Sequence, residues 1–169
     1  GTIAGVFAVH KKYGSMPMSE ILKPVITLAE KGVIVTKKQE RTLANYKEAI
    51  IKANGKNTKF STESKENDTV KYPALAETFR RIAKNGRDEF YKGQTAKTLV
   101  KYLQEKGGII TMKDLAKYEA KWRTPLTFNY KDLKVISMSP PSSGGICLAQ
   151  ILKMIEPYDL SKKGHNSAE

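Results

Sequence analysis

The stretch Leu133-Lys134-Val135-Ile136-Ser137-Met138-Ser139-Pro140-Pro141-Ser142-Ser143-Gly144-Gly145 decides how this chain is read. Leu133 to Met138 alternates with the period of a β-strand, and Ile146 to Ile155 has helical character. Between them two prolines fix the approach, two hydroxyls follow, and two glycines permit a tight turn before a helix N-terminus. Such a connection could hold an anion, position a nucleophile or simply turn a corner. Upstream, Leu126 and Phe128 alternate with Thr127 and Asn129, and Tyr130-Lys131-Asp132 reads as a turn, so Leu126 to Met138 forms a hairpin. Val135 and Ser137 lie on one face of its second strand, Ile136 and Met138 on the other, so apolar residues point both ways. Strands of that kind pair into a larger sheet, because an isolated hairpin is marginal in water. That sheet cannot be built from this chain alone, which points to a piece of a larger fold.

Ahead of the hairpin the periodicity is helical. Gly5 to Tyr13 is a short helix with Val6 and Val9 on one side. Ser19 to Lys31 carries a stripe of Ile21, Leu22, Val25, Leu28 and Ala29 and stops at Gly32; Pro24 inside it should kink it or mark its first turn. Thr36 with Gln39 is a capping-box pattern opening a helix to about Asn54, with Leu43, Tyr46 and Ile50 at helical spacing and Gly55 at its end. Lys56 to Lys71 is polar and reads as a loop with one short strand near Phe60. Pro73 starts a helix carrying Leu75, Phe79 and Ile82 and stopped by Asn85-Gly86. Thr95 to Lys106 follows, with Leu99, Val100 and Leu103 inward, and Thr111 with Asp114 caps a last short helix ending near Glu119. The class is α+β: a mainly helical lobe over 1–121, then a hairpin and helix over 122–169.

A chain of 169 residues with 40% apolar content is one domain or a section of something larger. Its net charge is +13, yet of 30 basic residues only five are arginine, and the lysines are scattered with no block of five or six. Nucleic-acid readers concentrate arginine forks on one element, so a lysine-solvated surface is the better reading and nucleic acid is not an expected partner. A non-catalytic basic helical module that binds an acidic partner stands as the alternative function. Cys147 is the only cysteine, which excludes an internal disulfide and a Cys-rich zinc site; on its predicted helix it reads as a small buried hydrophobe. No apolar run reaches membrane-spanning length.

The candidate chemistry is sparse. Ser142 or Ser143 as nucleophile would need a base, and the only histidines, His10 and His165, lie near opposite ends of the sequence. The order Pro-Ser-Ser-Gly-Gly is not the Gly-x-Ser-x-Gly elbow, and no Gly-Lys-Ser/Thr marks a nucleotide loop. An anion pocket at Ser142, Ser143, Gly144 and Gly145 stays open, beside a plain strand-to-helix connection with hydroxyl capping. Histidines and carboxylates show no metal-ligand spacing, and no cofactor motif is present. Asp88 and Glu89 are adjacent, so their side chains point apart and read as first-turn charges rather than an acid/base pair. Trp122 and Arg123 read as packing and a local ion pair. The residues alone give no catalytic constellation.

Taken together, however, the motifs resemble one family. Gly1-Thr2-Ile3-Ala4-Gly5 is similar to the Pro-Gly-Thr-Val-Ala-Gly segment of the γ-glutamyltranspeptidases (glutathione hydrolases), and Pro24 through Gly32 to that family's Pro-Ala-Ile-x-Leu-Ala-x-x-Gly. Asp88 to Gly93, Gly107 to Thr111 with Asp114-Leu115 and Tyr118, Arg123 to Leu126, Ser137-Met138, Pro140 to Gly145, and Gly164 to Glu169 follow in family order. Ser139 stands where the family often has a third proline, Lys131-Asp132-Leu133 replaces its usual Tyr-Arg-Gly-Tyr continuation after Tyr130, and Cys147 takes a place often held by histidine.

The resemblance implies an N-terminal-nucleophile hydrolase with an αββα core, made as a proenzyme that cleaves itself. A freed threonine then takes the γ-glutamyl group of glutathione and passes it to water or an amine. This chain matches a middle section of the large subunit. The arginine for the substrate α-carboxylate would precede Gly1, and the threonine and oxyanion glycines would follow Glu169, so no catalytic residue is assigned here. The expected partners are the rest of the large subunit, the small subunit and a γ-glutamyl substrate, in a periplasmic or extracellular setting. The chain alone is expected to be inactive, with apolar edges at the hairpin and at the Ile146-to-Ile155 helix.

Overall fold

Turn and cap chemistry sets most of the element boundaries. In the computed structural model, which describes residues 1–61 and 64–167, the chain divides into two units, Gly1–Ala120 and Lys121–Glu169. The first holds α1 (Thr2–Tyr13), α2 (Met18–Lys31), β1 (Val33–Ile34), α3 (Lys37–Asn54), β2 (Thr69–Val70), α4 (Pro73–Asn85), α5 (Arg87–Tyr91), α6 (Gln94–Glu105) and α7 (Met112–Lys117). Both capping boxes form. The Gln39 and Asp114 amides donate to the Thr36 and Thr111 hydroxyls at 3.3 and 3.2 Å, and each side chain accepts from the threonine amide at 2.8 Å. Pro73 occupies the first turn of α4, where a missing N–H costs nothing. Pro24 is accommodated inside an unbroken α2.

Three expectations need correction. Phe60 lies in a 3-10 turn, Lys59–Ser61, rather than a strand. The extended segment is Thr69–Val70, which pairs antiparallel with Val33–Ile34, so a second small sheet exists besides the hairpin. Two-residue strands leave no period to read, which is why neither was visible in sequence. The apolar stripe of α2 is also split: Ala29 is buried and Leu22 and Ile26 are half-buried, whereas Ile21, Val25 and Leu28 face outward. Val6, Val9 and Tyr13 of α1 are exposed too and line an apolar groove with Met18 and Ile21. Tyr46 and Leu75 point to solvent.

What is buried in the first unit is small: Ala4, Ala29, Ala76 and Ala96, with Val35, Ile82, Val100 and Tyr91. Small side chains let helices approach closely, and α2 packs on α4 as the principal helix pair. Arg80 of α4 reaches Glu30 of α2 across that contact. The five-residue helix α5 is the junction, touching α1, α4, α6 and α7. Tyr91 is 2% exposed and its ring stacks on Tyr118 at 5.5 Å. Its hydroxyl accepts from the Ala4 amide at 3.2 Å, satisfying a free N–H in the first turn of α1, whose N-cap Gly1 has no side chain to do so.

Glu89 points the other way from α5. It is 5% exposed, and its carboxylate accepts from the Thr95 amide (3.1 Å), the Thr95 hydroxyl (2.9 Å), Arg81 Nε (3.1 Å) and Asn85 Nδ2 (3.3 Å). Thr95 is in the first turn of α6, so Glu89 supplies the cap that Gly93 lacks and sets a negative charge at the helix N-terminus. Gly93 is required there, because a β-carbon would collide with the Glu89 carboxylate and backbone. Asp88, its neighbour, faces solvent between Arg87 (3.0 Å) and Lys92 (2.9 Å). The two carboxylates do point apart, but Glu89 is a buried tie between three helices and more than a first-turn charge.

The second unit contains β3 (Leu126–Tyr130), β4 (Leu133–Ser137) and α8 (Gly144–Ile155), with a 3-10 turn at Leu160–Lys162. The expected hairpin forms, in register Leu126↔Ser137 through Tyr130↔Leu133, with Tyr130 in the strand rather than in the turn. Lys131 takes a left-handed φ of 51° in the two-residue turn, and its amide donates to Glu156 at the end of α8 at 2.7 Å. Among the described residues of this unit only Gly145 is buried. Ile136, Met138, Ile151 and Met154 are each more than half exposed. Cys147 is exposed, against the expectation of burial, because α8 turns another face to β3. Trp122 is 59% exposed, so it packs less than expected.

Two outcomes test this description. Burial opposes ionisation of Glu89, but the hydrogen bonds from Thr95, Asn85 and Arg81 outweigh it and hold its carboxyl below the usual 4.5. A lowered folded-state value means stability that is complete above pH 4.5 and is lost as pH falls through the folded value. Glu89→Gln should therefore cost about 2–3 kcal/mol at neutral pH and flatten the acid limb of a urea-denaturation series; an unchanged acid limb would refute the role. For the second unit, Ile136→Lys with Ile151→Lys should reduce self-association of the isolated chain in sedimentation velocity. A monodisperse unsubstituted chain would contradict this.

Candidate functional site

The Ser139-to-Gly145 connection is built by β4 on one side and α8 on the other. The Ser142 amide donates to the Ser139 carbonyl at 3.3 Å, and the Ser142 hydroxyl accepts from the Gly144 amide at 3.3 Å. The Ser143 side chain makes no capping bond, although its carbonyl accepts from the Cys147 amide at 2.9 Å. Capping thus falls to Ser142, and the glycines lie inside the helix as its first two residues. Gly145 is buried because α8 begins directly against the hairpin. A β-carbon there would collide with the Met138 carbonyl and press on Ser137 Oγ and Leu126. Gly144 has open space around it: a β-carbon at that position would meet only Ser142 Oγ, at an ordinary contact distance of 3.5 Å. The run is therefore a close strand-to-helix junction whose exposed hydroxyl is that of Ser143.

Among the described residues no catalytic pairing forms at these serines. Among the described residues neither hydroxyl is bonded to a histidine; His10 Nε2 lies 2.7 Å from the Met16 carbonyl, and His165 is exposed. Among the described residues no group of three His, Cys, Asp or Glu could hold a metal ion. In the first unit a cleft of about 680 Å³ between α1, α5 and α7 is lined by His10, Lys11, Arg87, Lys92 and Glu119. Two of its cations are already engaged: Arg87 bonds Asp88 and the Tyr118 carbonyl and lies 4.4 Å over the Tyr91 ring, and Lys92 pairs with Asp88.

Sequence reading missed the Arg81–Glu89–Thr95 tie and the Tyr91 hydroxyl. The one available signal was the spacing of Glu89 ahead of Gly93-Gln94-Thr95, a carboxylate just upstream of an uncapped helix start.

A helical lobe followed by a hairpin and a glycine-started helix defines an α+β chain without a self-contained catalytic centre among its described residues. The chain matches the Gamma-glutamyltranspeptidase family along residues 1–169. It is 41% identical over 174 residues to the glutathione hydrolase proenzyme of Escherichia coli, covering 100% of this chain and 30% of the relative. Among solved structures it superposes on Helicobacter pylori gamma-glutamyltranspeptidase with a TM-score of 0.92 at 40% identity, covering 99% of this chain and 49% of that one. A Bacillus anthracis transpeptidase matches with a TM-score of 0.85 at 31% identity, over 99% of this chain and 58% of the other. The chain belongs to the gamma-glutamyltranspeptidase family, and it spans about 30% of the length of the curated relatives it matches.

The tight junction gives a direct test. Gly145→Ala should destabilise the chain by about 1–3 kcal/mol through the clash with Met138, whereas Gly144→Ala should be near neutral or slightly stabilising. Equal effects in thermal denaturation would show that the junction is not close-packed.

Proposed function

We propose that the protein carrying this chain cleaves the γ-glutamyl bond of glutathione and transfers the γ-glutamyl group to water or an amine. The supporting observation is the end-to-end match of residues 1–169 to the family, with 41% identity to a glutathione hydrolase proenzyme. In this reading a self-cleaving precursor frees a threonine, whose hydroxyl attacks the γ-glutamyl carbonyl while its own amine accepts the proton. Backbone N–H groups stabilise the tetrahedral oxyanion, the amine leaves, and water or an acceptor amine resolves the acyl-enzyme. The setting proposed is periplasmic or extracellular. Among the described residues no helix is long and apolar enough to cross a membrane.

This chain's contribution would be architectural. Residues 1–121 form the helical lobe of the large subunit, and 122–169 join the αββα core. That Gly145 alone is buried among the described residues of the second unit supports that assignment, since a hairpin and one helix with outward Ile136, Met138, Ile151 and Met154 bury little of their own. The remaining large subunit and the small subunit would cover those residues. The Ser142, Ser143, Gly144 and Gly145 loop would lie near the substrate pocket and shape its wall, with no role as nucleophile.

The test is release of chromophore from a γ-glutamyl anilide. The whole protein should turn it over, and replacement of its small-subunit leading threonine by alanine should abolish turnover. This chain purified alone should release none. Turnover by the chain alone would refute the architectural reading, and none by the whole protein would refute the proposed reaction.

A further inference from the structure

Helix α3 stands apart from the rest of the first unit. It is 18 residues long, yet none of its residues is buried, and its principal packing is against the Lys59–Ser61 turn. Leu43, Lys47, Ile50 and Ile51 are half-buried on one side, while Lys38, Arg41, Asn45 and Lys52 are exposed on the other. Those four positions fall within a narrow arc of the helical wheel and extend about 21 Å along the axis. Residues 37–61 carry seven Lys or Arg against Glu40 and Glu48, a net +5 of the chain's +13. Glu40 is spent on Lys37 at 3.0 Å, and its carboxyl is held low by that hydrogen bond. Glu48 adjoins the stripe and is the only carboxylate of α3 left to oppose it. Exposed Tyr46 lies between the stripe and the half-buried side, whereas Phe60 is on the half-buried side, lining a hollow with Leu43 and Lys47.

We propose that this outer face of α3 docks the protein on an anionic lipid surface. The cations of this face are mainly lysines. Point charges on long flexible stems respond to the summed potential of a charged sheet, whereas base or phosphate reading uses arginine forks in a groove. No large aliphatic residue lies on the stripe, so contact is with headgroups and α3 does not insert. Tyr46, at the edge of the stripe, suits the headgroup boundary, where aromatic rings are favoured. The proposal is independent of the γ-glutamyl reaction, since none of these residues belongs to the chemistry proposed above.

The experiment uses the whole protein with vesicles of phosphatidylcholine containing one-third phosphatidylglycerol, and pure phosphatidylcholine vesicles beside them. Binding should require the anionic lipid and weaken at high salt. The triple variant K38Q/R41Q/K52Q should lower partitioning by about a hundredfold, at roughly fivefold per cation. A charge-matched control, K101Q/K113Q/K134Q, should change it by less than about fivefold. Turnover of the γ-glutamyl anilide should be unaffected in the stripe variant, and an unchanged circular-dichroism melt shows folding independently of activity. Equal binding to both vesicle types, or equal loss in both triple variants, would overturn the proposal. So would stripe-dependent binding to soluble poly-glutamate with none to vesicles, which would assign the face to an acidic polymer.

Discussion

The carboxylate of Glu89 is the constraint on which the first unit depends. A buried anion is tolerable only when it is well hydrogen-bonded, and Glu89 accepts from an amide, a hydroxyl, a guanidinium and a side-chain amide of neighbouring helices. Arg81 brings in α4 and Thr95 brings in α6, so the charge fixes how those helices meet at α5. Two residues on, Tyr91 performs the matching task toward α1 and α7 through its hydroxyl and its stack with Tyr118. A helix of five residues would not persist in water by itself. It persists here because its inward side chains, Glu89 and Tyr91, complete the hydrogen bonding of other helices.

That logic explains what was readable in the sequence. Local chemistry was legible: both capping boxes, the Pro73 start, the Gly32 and Gly55 stops, and the existence of the hairpin all depend on residues within a few positions of one another. The Glu89 tie depends on Arg81, Asn85 and Thr95, which meet only after the helices pack, and no periodicity announces such a meeting. The split stripe of α2 has the same origin. Ile21, Leu22, Val25, Leu28 and Ala29 share a helical face by spacing, but which part of that face finds a partner depends on where α4 lies. Cys147 followed suit, since the neighbours of α8 decide its burial and its own apolar character does not.

The candidate loop was legible in form and silent about role. Pro140, Pro141 and the two glycines predicted a tight junction, and the contact of Gly145 with Met138, Ser137 and Leu126 supplies the physical reason for a glycine at that position. The serines looked chemical only because hydroxyl, glycine and helix start commonly accompany one another at anion sites and nucleophile elbows. Ser142 instead closes its own turn on Gly144, and among the described residues Ser143 bonds no histidine. Among the described residues no geometric feature of the loop carries a reaction.

Burial separates the two kinds of exposed surface. Around the hairpin and α8, large apolar side chains stand in solvent and Gly145 alone is buried among the described residues, an arrangement whose free energy falls when more protein covers it. On the outer stripe of α3 the exposed side chains, Lys38, Arg41, Asn45 and Lys52, are charged or polar and already at ease in water, so covering them with apolar protein would be unfavourable. A surface of the first kind belongs to folding and assembly. A surface of the second kind gains only from an opposite charge that leaves its lysines hydrated, and a net +5 over residues 37–61 favours an extended anionic partner over any single ion pair.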